Sequence, residues 1–419
     1  MNRIRFAALT ALLLAGTSSA ADNAIALTVA AGKHDRVNVP VRVALSLAPE
    51  QAKMHPNLLD SSGKPIPAQL TATSLLGLEA APRNEQAVAR DLNFILPSLK
   101  AGETTKLTLS FGPLPPMRFR SGFFWQENAP YSDLSYQERP VLRYVHYVFD
   151  ESTKEKRERT FKVFHHLYDP AGKRLVTNDG PGGLYPHHRG IYFGFNKVTY
   201  GNGKKADVWH CTGDAHMTHE KELAREAGAV LGRHRVEIAW HGEEKEVFAI
   251  EERELTVYNV SGGQLVEFAA RVRTTGGPVK LDGDPQHAGF HFRADKEVAD
   301  KTKSAQTVFV RPDGAGEPGK TRNWPADKTH VNLPWNAMSF VLGPQRFTAA
   351  YLDKPTNPKE ARFSERDYGR IGSYFEYEVT EKKPLQVNYR VWLQEGQMKP
   401  EEVADKSAGF VSPVEVTVK

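Results

Sequence analysis

The sequence contains a single cysteine, Cys211, so no internal disulfide bond can form and the fold must be stabilised by its core. Beyond the first twenty or so residues, no apolar run is long enough to form a membrane-spanning helix. No cysteine follows the N-terminal segment where a lipid could be attached. These absences argue against a helical membrane protein, a lipoprotein and a disulfide-rich scaffold.

The sequence also lacks blocks of like charge. Its formal net charge is +5, and charged residues of both signs are interspersed along the chain. Nucleic-acid-binding arms usually carry clustered Lys and Arg, so we expect no nucleic-acid partner. There is also no fixed-period repeat and no low-complexity tract.

The N-terminus has the three parts of a secretory leader. Arg3 and Arg5 precede an apolar run over residues 6–16, and small residues follow up to Ala21. We therefore predict a signal peptide over residues 1–21 and a periplasmic or extracellular location. The roughly 400 residues that remain are enough for two domains.

Alternating apolar and polar residues predict an all-β protein. Residues 22–113 have alternating segments at 37–47 and 105–111, with a turn at 60–63, which favours an N-terminal immunoglobulin-like β-sandwich. The proline-rich residues 112–116 are expected to form a stiff connector.

Residues 118–419 continue the β pattern, with strands predicted at 236–240, 247–257, 265–272, 338–342 and 387–393. A large antiparallel β-supersandwich with a concave face fits this length. Helical signals are scarce, and residues 219–227 fit two helical turns or a loop.

The segment Asp284-Pro-Gln-His287-Ala-Gly-Phe-His291-Phe-Arg293 predicts a polar strand face. Alternation places His287, His291 and Arg293 on one face and the two phenylalanines on the other. The alternative is a solvated outer face. Residues four apart lie about 13 Å apart in a strand, so His287 and His291 are not expected to bind one metal ion.

Three further segments carry candidate site residues. In His187-His188-Arg189-Gly190 the guanidinium group suits carboxylate recognition, although the histidines could simply support a loop. In Asp207-Val-Trp209-His210 an aromatic plane adjoins a proton carrier, as in sugar sites. The nearby Cys211, Asp214 and His216 do not match a standard zinc spacing.

The last of these segments contains Glu365-Arg-Asp367-Tyr368-Gly-Arg370. It offers a tyrosine proton donor beside cationic groups, and an ion-paired turn is the alternative.

These segments, together with Phe164-His-His166-Leu-Tyr-Asp and Arg366-Asp-Tyr-Gly369, resemble the uncharacterised bacterial family DUF6807. Members are often labelled PmoA, after a methane oxygenase, a label that the absence of membrane spans argues against. Gly190 and Gly194-Phe-Asn196-Lys, followed by a tryptophan, are more weakly similar to galactose-mutarotase-like β-supersandwiches. That likeness implies sugar substrates and histidine-centred proton transfer, with Asn196 in place of the usual acid.

We therefore predict a secreted carbohydrate-active enzyme, a lyase or a glycoside hydrolase, with a carbohydrate as its partner. The expected catalytic residues are His188, His287, His291, Tyr368 and Arg189. The expected substrate-binding residues are His166, His187, Trp209, His210, Arg293, Asp367 and Arg370. No metal ligand is assigned and no cofactor is required, although calcium stays open.

Three alternatives remain. The first is a hydrolase that uses two carboxylates from among Asp284, Glu365 and Asp367. The second is a non-catalytic glycan-binding or cell-surface protein. The third is a metal-dependent oxidoreductase.

Overall fold

The computed structural model describes residues 24–77, 84–113 and 122–419, and β-strands are its main secondary structure. The predicted signal peptide and most of the predicted connector lie outside the described residues.

The strands in chain order are β1 Ile25–Ala30, β2 Arg36–Leu47, β3 His55–Leu59, β4 Pro65–Ile66, β5 Ala68–Thr71, β6 Val88–Leu99, β7 Thr104–Gly112, β8 Phe123–Asn128, β9 Tyr131–Tyr136, β10 Arg139–Val145, β11 Phe164–Leu167, β12 Ile191–Phe195, β13 Lys197–Tyr200, β14 Lys204–Ala206, β15 His216–Ala227, β16 Leu231–His241, β17 Val247–Tyr258, β18 Gln264–Thr274, β19 Val279–Asp282, β20 Ala288–Arg293, β21 Val308–Arg311, β22 Gly314–Ala315, β23 Trp335–Leu342, β24 Gln345–Asp353, β25 Arg362–Arg366, β26 Arg370–Tyr374, β27 Tyr377–Val379, β28 Leu385–Glu395 and β29 Glu415–Val418. The helices are α1 Lys154–Thr160, α2 Lys301–Ser304 and α3 Pro400–Val411, and short 3-10 turns occur at Gln51–Lys53 and Lys296–Ala299.

Two sheets form the N-terminal sandwich. One has the order β29-β1-β7-β3-β4 and the other the order β2-β6-β5. Side chains such as Leu27, Phe94 and Leu109 are fully buried in its core. The final strand β29 pairs antiparallel with β1. The predicted second domain, residues 118–419, therefore includes a strand that completes the first sandwich.

The larger part of the chain forms the second sandwich. An eight-stranded sheet has the order β25-β26-β20-β12-β11-β10-β9-β8, and a nine-stranded sheet has the order β15-β16-β17-β18-β28-β24-β23-β21-β22. Aromatic side chains of the two sheets meet in the core: the ring centroids of Phe290 and Phe268 lie 4.6 Å apart. A separate four-stranded sheet has the order β14-β13-β19-β27. The all-β prediction is confirmed.

The strands predicted from alternation are confirmed in β16, β17, β18, β23 and β28. The reading of residues 219–227 as helix or loop is wrong, because they lie in β15, at the edge of the nine-stranded sheet. Charged side chains along this edge strand are exposed, as edge strands commonly require. Helix α3 was not predicted.

Among the described residues, no helix is long and apolar enough to cross a membrane.

Candidate functional site

Strands β12 and β20 pair in the middle of the eight-stranded sheet and separate an apolar face from a polar one. In their register Phe193 lies opposite Phe290, and Tyr192 lies opposite His291. Because Phe290 packs into the core, His291 points to the other side of the sheet. The predicted alternation therefore holds for His291 and Arg293. The alternative of a solvated face is wrong, since both side chains are completely buried.

His287 lies in a turn just before β20, not in the strand as predicted. Its backbone N–H donates to the Asp284 carbonyl at 3.1 Å, and its Nδ1 lies 3.0 Å from the Asp284 carboxylate. Gly289 follows with φ +80°, and a Cβ there would collide with the Ser373 carbonyl oxygen. Glycine alone fits this close approach.

A second turn repeats this arrangement. The Nδ1 of His210 lies 2.8 Å from the Asp207 carboxylate, whose other oxygen accepts the backbone N–H groups of Trp209 and His210. In both turns the aspartate precedes the histidine by three residues. An aspartate that accepts the Nδ1–H leaves Nε2 as the ring atom available for chemistry.

The rings from these segments converge into one group, which we call the histidine cluster: His187, His188, His210, His287 and His291. The ring centroids are separated by 4.3 Å (His187–His188), 4.6 Å (His187–His210), 4.5 Å (His210–His287), 5.3 Å (His188–His287) and 5.6 Å (His188–His291). The structure thus brings together the histidines that the sequence singled out in three distant segments.

Several ring nitrogens of this cluster are buried without a partner. His187 Nε2, both nitrogens of His188, and His291 Nδ1 have no hydrogen-bond partner among the described residues. Leaving a buried polar atom unsatisfied costs about 1–3 kcal/mol. Such groups are rare in folded proteins, and a functional role is one explanation for them.

The buried rings are neutral at physiological pH. Burial lowers the pKa of His187 to about 3, and the charges of neighbouring groups add to this effect. Burial, followed by the positive charge of Arg370, holds the pKa values of His188 and His291 well below the usual range. A neutral imidazole has an unprotonated nitrogen that can accept a proton or bind a metal ion.

Aromatic side chains form the wall and the rim of the cluster. Trp209 is fully buried and contacts His291 edge-on, with ring centroids 4.5 Å apart. It therefore supports the histidines and does not offer the open stacking plane that we predicted. Tyr368 is buried, and its ring centroid lies 4.7 Å from that of Tyr185. Tyr185 is 42% exposed and lies at the rim of the cluster.

Of the three predicted site arginines, Arg189 and Arg293 make structural contacts that the sequence did not indicate, and Arg370 adjoins the histidine cluster. Arg189 donates to the carbonyl oxygens of Arg159 at 3.1 Å, Glu158 and Pro186. Since its guanidinium group is buried against these carbonyls, the predicted carboxylate-binding role is not supported.

Arg293 likewise donates to the carbonyl oxygens of Ala294 and Tyr368 and lies over the Tyr368 ring. Arg370 does adjoin the cluster: its Nη2 donates to the Pro285 carbonyl oxygen at 3.0 Å, and its charge acts on His188 and His291.

Two predicted substrate-binding residues have partners of their own. His166 contacts Thr177 and Asp179 through its two ring nitrogens. The Asp367 carboxylate accepts the backbone N–H of Tyr368 at 3.0 Å. Neither contact places its residue within the histidine cluster.

The two-carboxylate alternative is not supported. Glu365 is buried in ion-pair contact with Arg311, while Asp284 holds His287. Glu365 lies opposite Ile371 in the sheet, and Ile371 lies opposite Phe292, so Glu365 points to the core face, away from His291.

Cys211 is buried and its thiol contacts the Phe161 carbonyl oxygen. His216 stacks on His241 at 4.1 Å. The described residues therefore do not join Cys211 and His216 with His210 into a metal-ligand group.

Sequence reasoning missed the residues that hold the cluster in place. Lys162 is fully buried and donates to the carbonyl oxygens of His187 (3.1 Å) and Trp209. Asn178 donates to the His188 carbonyl oxygen at 2.6 Å. Neither residue carries a sequence signal. For Asp207 and Asp284, the repeated Asp-x-x-His spacing was such a signal.

Comparison with known proteins gives a family but no activity. The chain is similar to an alpha-mannosidase from Enterococcus faecalis V583 (9% identity, TM-score 0.39, covering 95% of this chain and 46% of that one). It is also similar to a glycosyl hydrolase family 38 protein from Enterococcus faecalis (10% identity, TM-score 0.39, covering 95% and 48%). The chain thus spans about half the length of these proteins.

No curated protein matches the chain. A family model matches residues 131–408, which include the whole histidine cluster, and the chain therefore belongs to the family of unknown function DUF6807.

Proposed function

We propose that the protein is a carbohydrate-active enzyme that reacts with its substrate at the open side of the histidine cluster. The observation that carries this proposal is the pair of Asp–His contacts, Asp207–His210 and Asp284–His287, whose imidazole rings lie 4.5 Å apart. Their side chains are 28% and 22% exposed, so both rings are accessible from solvent. Two imidazoles with fixed Nδ1 partners are suited to general acid–base catalysis.

The surroundings favour a sugar. The exposed Tyr185 ring lies 6.1 Å from His187 and offers an aromatic surface at the rim. Ligand sites commonly combine aromatic walls with a few polar groups that fix orientation. The predicted leader is consistent with an extracellular polysaccharide as the substrate.

Among carbohydrate reactions, elimination fits better than hydrolysis. A two-carboxylate hydrolase needs two acids beside the substrate, but Glu365 is bound to Arg311 and Asp284 to His287. In an elimination, one imidazole removes the C5 proton of a uronate and the other protonates the departing glycosidic oxygen, which leaves a C4–C5 double bond. His210 and His287 are the proposed pair.

The test is a screen of the purified protein against uronate-containing and neutral polysaccharides. Ultraviolet absorbance reports unsaturated products, and a reducing-end assay reports hydrolysis. We expect unsaturated products, and a rate about 10²- to 10⁴-fold lower in His210→Ala and His287→Ala.

His241→Ala is the matched control, because it removes a partly exposed histidine outside the cluster, and it should retain the wild-type rate. Circular dichroism verifies folding of each variant. Retention of a polysaccharide on an affinity gel with no product in either assay would instead indicate a glycan-binding protein and refute the proposal.

A further inference from the structure

We infer that His187, His188 and His287 form a binding site for a transition-metal ion. One ligand nitrogen of each residue lies within 4.8 Å of the corresponding nitrogens of the other two. In a tetrahedral zinc site with Zn–N bonds of about 2.0–2.1 Å, two ligand nitrogens lie about 3.4 Å apart. Closing the present spacing to that value requires shifts of at most about 1.4 Å, shared among three rings.

Candidate ligand atoms of His187 and His188 have no other hydrogen-bonding contacts among the described residues. His187 Nε2 and both ring nitrogens of His188 are buried and have no hydrogen-bond partner in the described part of the chain. His188 is completely buried, so water does not replace the missing partners freely. An ion coordinated by these rings satisfies nitrogens that the fold otherwise leaves bare.

His287 has the supporting contact typical of a metal-binding histidine. The Asp284 carboxylate accepts a hydrogen bond from Nδ1 of His287 at 3.0 Å, which leaves the lone pair on Nε2 of His287 available to a metal ion. Asp284 is itself held by the Asn196 amide at 2.7 Å and the Gln286 backbone N–H at 2.9 Å. Such carboxylate–histidine–metal arrangements fix the tautomer and the orientation of the ligand ring.

Neighbouring residues of a strand point to opposite faces and are therefore poorly placed to bind one ion together. His187 and His188 instead lie in the loop before β12, where their ring centroids are only 4.3 Å apart. The loop is fixed on its backbone, since the carbonyl oxygens of the two residues accept from Lys162 and Asn178, respectively. The pair is therefore held in place before an ion binds.

The donor set selects the class of ion. Three imidazole ligands suit Zn²⁺, Cu²⁺, Fe²⁺ or Ni²⁺, whereas Ca²⁺ and Mg²⁺ require oxygen ligands. The nearby carboxylates of Asp207 and Asp284 are engaged with His210 and His287. Three protein ligands leave a fourth position for water or substrate, as in catalytic zinc sites.

The place of the ion in the reaction rests on the proposed function. His210 lies beside two of the ligands, 4.6 Å from His187 and 4.5 Å from His287. With Nδ1 held by Asp284 and Nε2 bound to an ion, His287 could not also transfer a proton. In the metal-loaded protein His210, held by Asp207, would therefore be the proton carrier, and the ion would replace His287 by stabilising negative charge on a substrate oxygen.

The test measures metal binding directly, without substrate. The full chain, stripped with a chelator and dialysed, is titrated with Zn²⁺ by calorimetry and with Co²⁺ by visible absorption, which intensifies in four-coordinate sites. We expect one saturable Zn²⁺ site per chain. His287→Ala and His188→Ala should each weaken binding at least 100-fold, and Asp284→Asn by about 10- to 100-fold.

His241→Ala is the control for binding to surface histidines and should leave the affinity unchanged. Because His188 is buried, its variant is interpreted only if circular dichroism shows a native fold; the partly exposed His287 provides the second test. The inference is overturned if wild-type protein shows no saturable site, or if His287→Ala binds Zn²⁺ as tightly as wild type.

The two proposals fail separately. Zn²⁺ binding at the cluster without turnover of any polysaccharide leaves the metal site standing and removes the proposed function. Turnover of a polysaccharide by protein that has no saturable Zn²⁺ site leaves the proposed function standing and removes the metal site.

Discussion

Replacement of Glu365 by glutamine should destabilise the protein by about 3 kcal/mol at neutral pH. The carboxylate is fully buried and accepts both Nε and Nη2 of Arg311, at 2.7 and 2.5 Å. It also accepts the Asn336 amide at 2.9 Å and the backbone N–H of Arg322 at 2.7 Å. Four donors therefore depend on one negative charge.

The magnitude follows from what glutamine retains. Breaking a buried ion pair from one side costs about 3–5 kcal/mol, because the remaining charge is left unpaired. The amide oxygen of glutamine still accepts one guanidinium N–H, which places the expected loss at the lower end.

The loss should also depend on pH. Burial alone raises the pKa of Glu365, but hydrogen bonds and the charges of His330 and Arg311 outweigh it and lower the pKa below its usual value. The stabilisation by the carboxylate is therefore complete above the unfolded-state pKa of about 4.3 and disappears as the pH falls through the lower folded-state pKa. The difference in unfolding free energy between wild type and Glu365→Gln should therefore become smaller in that acidic range.

Urea titrations followed by tryptophan fluorescence, at neutral and acidic pH, measure both effects. Glu360→Gln is the matched control, because Glu360 pairs with Arg362 at the surface and is 47% exposed. Its loss should not exceed about 1 kcal/mol. A loss below about 1 kcal/mol for Glu365→Gln at neutral pH, or one that does not change with pH, would refute this account.

Two further predictions concern the core and the support of the cluster. Phe290→Ala should cost about 3–5 kcal/mol in urea titrations, because Phe290 is fully buried between Phe268 and Tyr389; a cost below about 1 kcal/mol would contradict the described packing. Burial lowers the pKa of Lys162 from 10.5 to about 8, so the unfolded chain binds this proton more tightly than the folded one. The free energy of unfolding of wild type should therefore rise by about 3 kcal/mol relative to that of Lys162→Met as the pH rises from about 8 to about 10.5. If paired urea titrations show a constant difference in unfolding free energy between wild type and Lys162→Met over this pH range, the lowered pKa of Lys162 is contradicted.

The strands were predictable because alternation is a local property. In β20, burying Phe290 and Phe292 forces His291 and Arg293 onto the opposite face, whatever the rest of the chain does. The same argument identified β16, β17 and β28. It failed for β15, where residues of good helix propensity are held in a strand by pairing with β16. The C-terminal strand β29 pairs with β1, at the other end of the chain, which local reasoning could not anticipate.

The directions of the loop side chains were not predictable. Arg189 follows two cluster histidines directly, yet its guanidinium group binds carbonyl oxygens around α1. Trp209 precedes His210 and is buried as a wall. Where a loop side chain points depends on which distant segment packs against it, and the sequence does not reveal that.

The sequence by itself determined an all-β chain, its family resemblance and the short segments that carry imidazoles. Only the tertiary structure decided that these rings share one half-buried group, with Asp207 and Asp284 behind two of them and bare nitrogens between. The physical reason is that a strand pattern fixes the face of a residue, whereas convergence depends on how turns more than seventy residues apart in the chain pack over the same sheet.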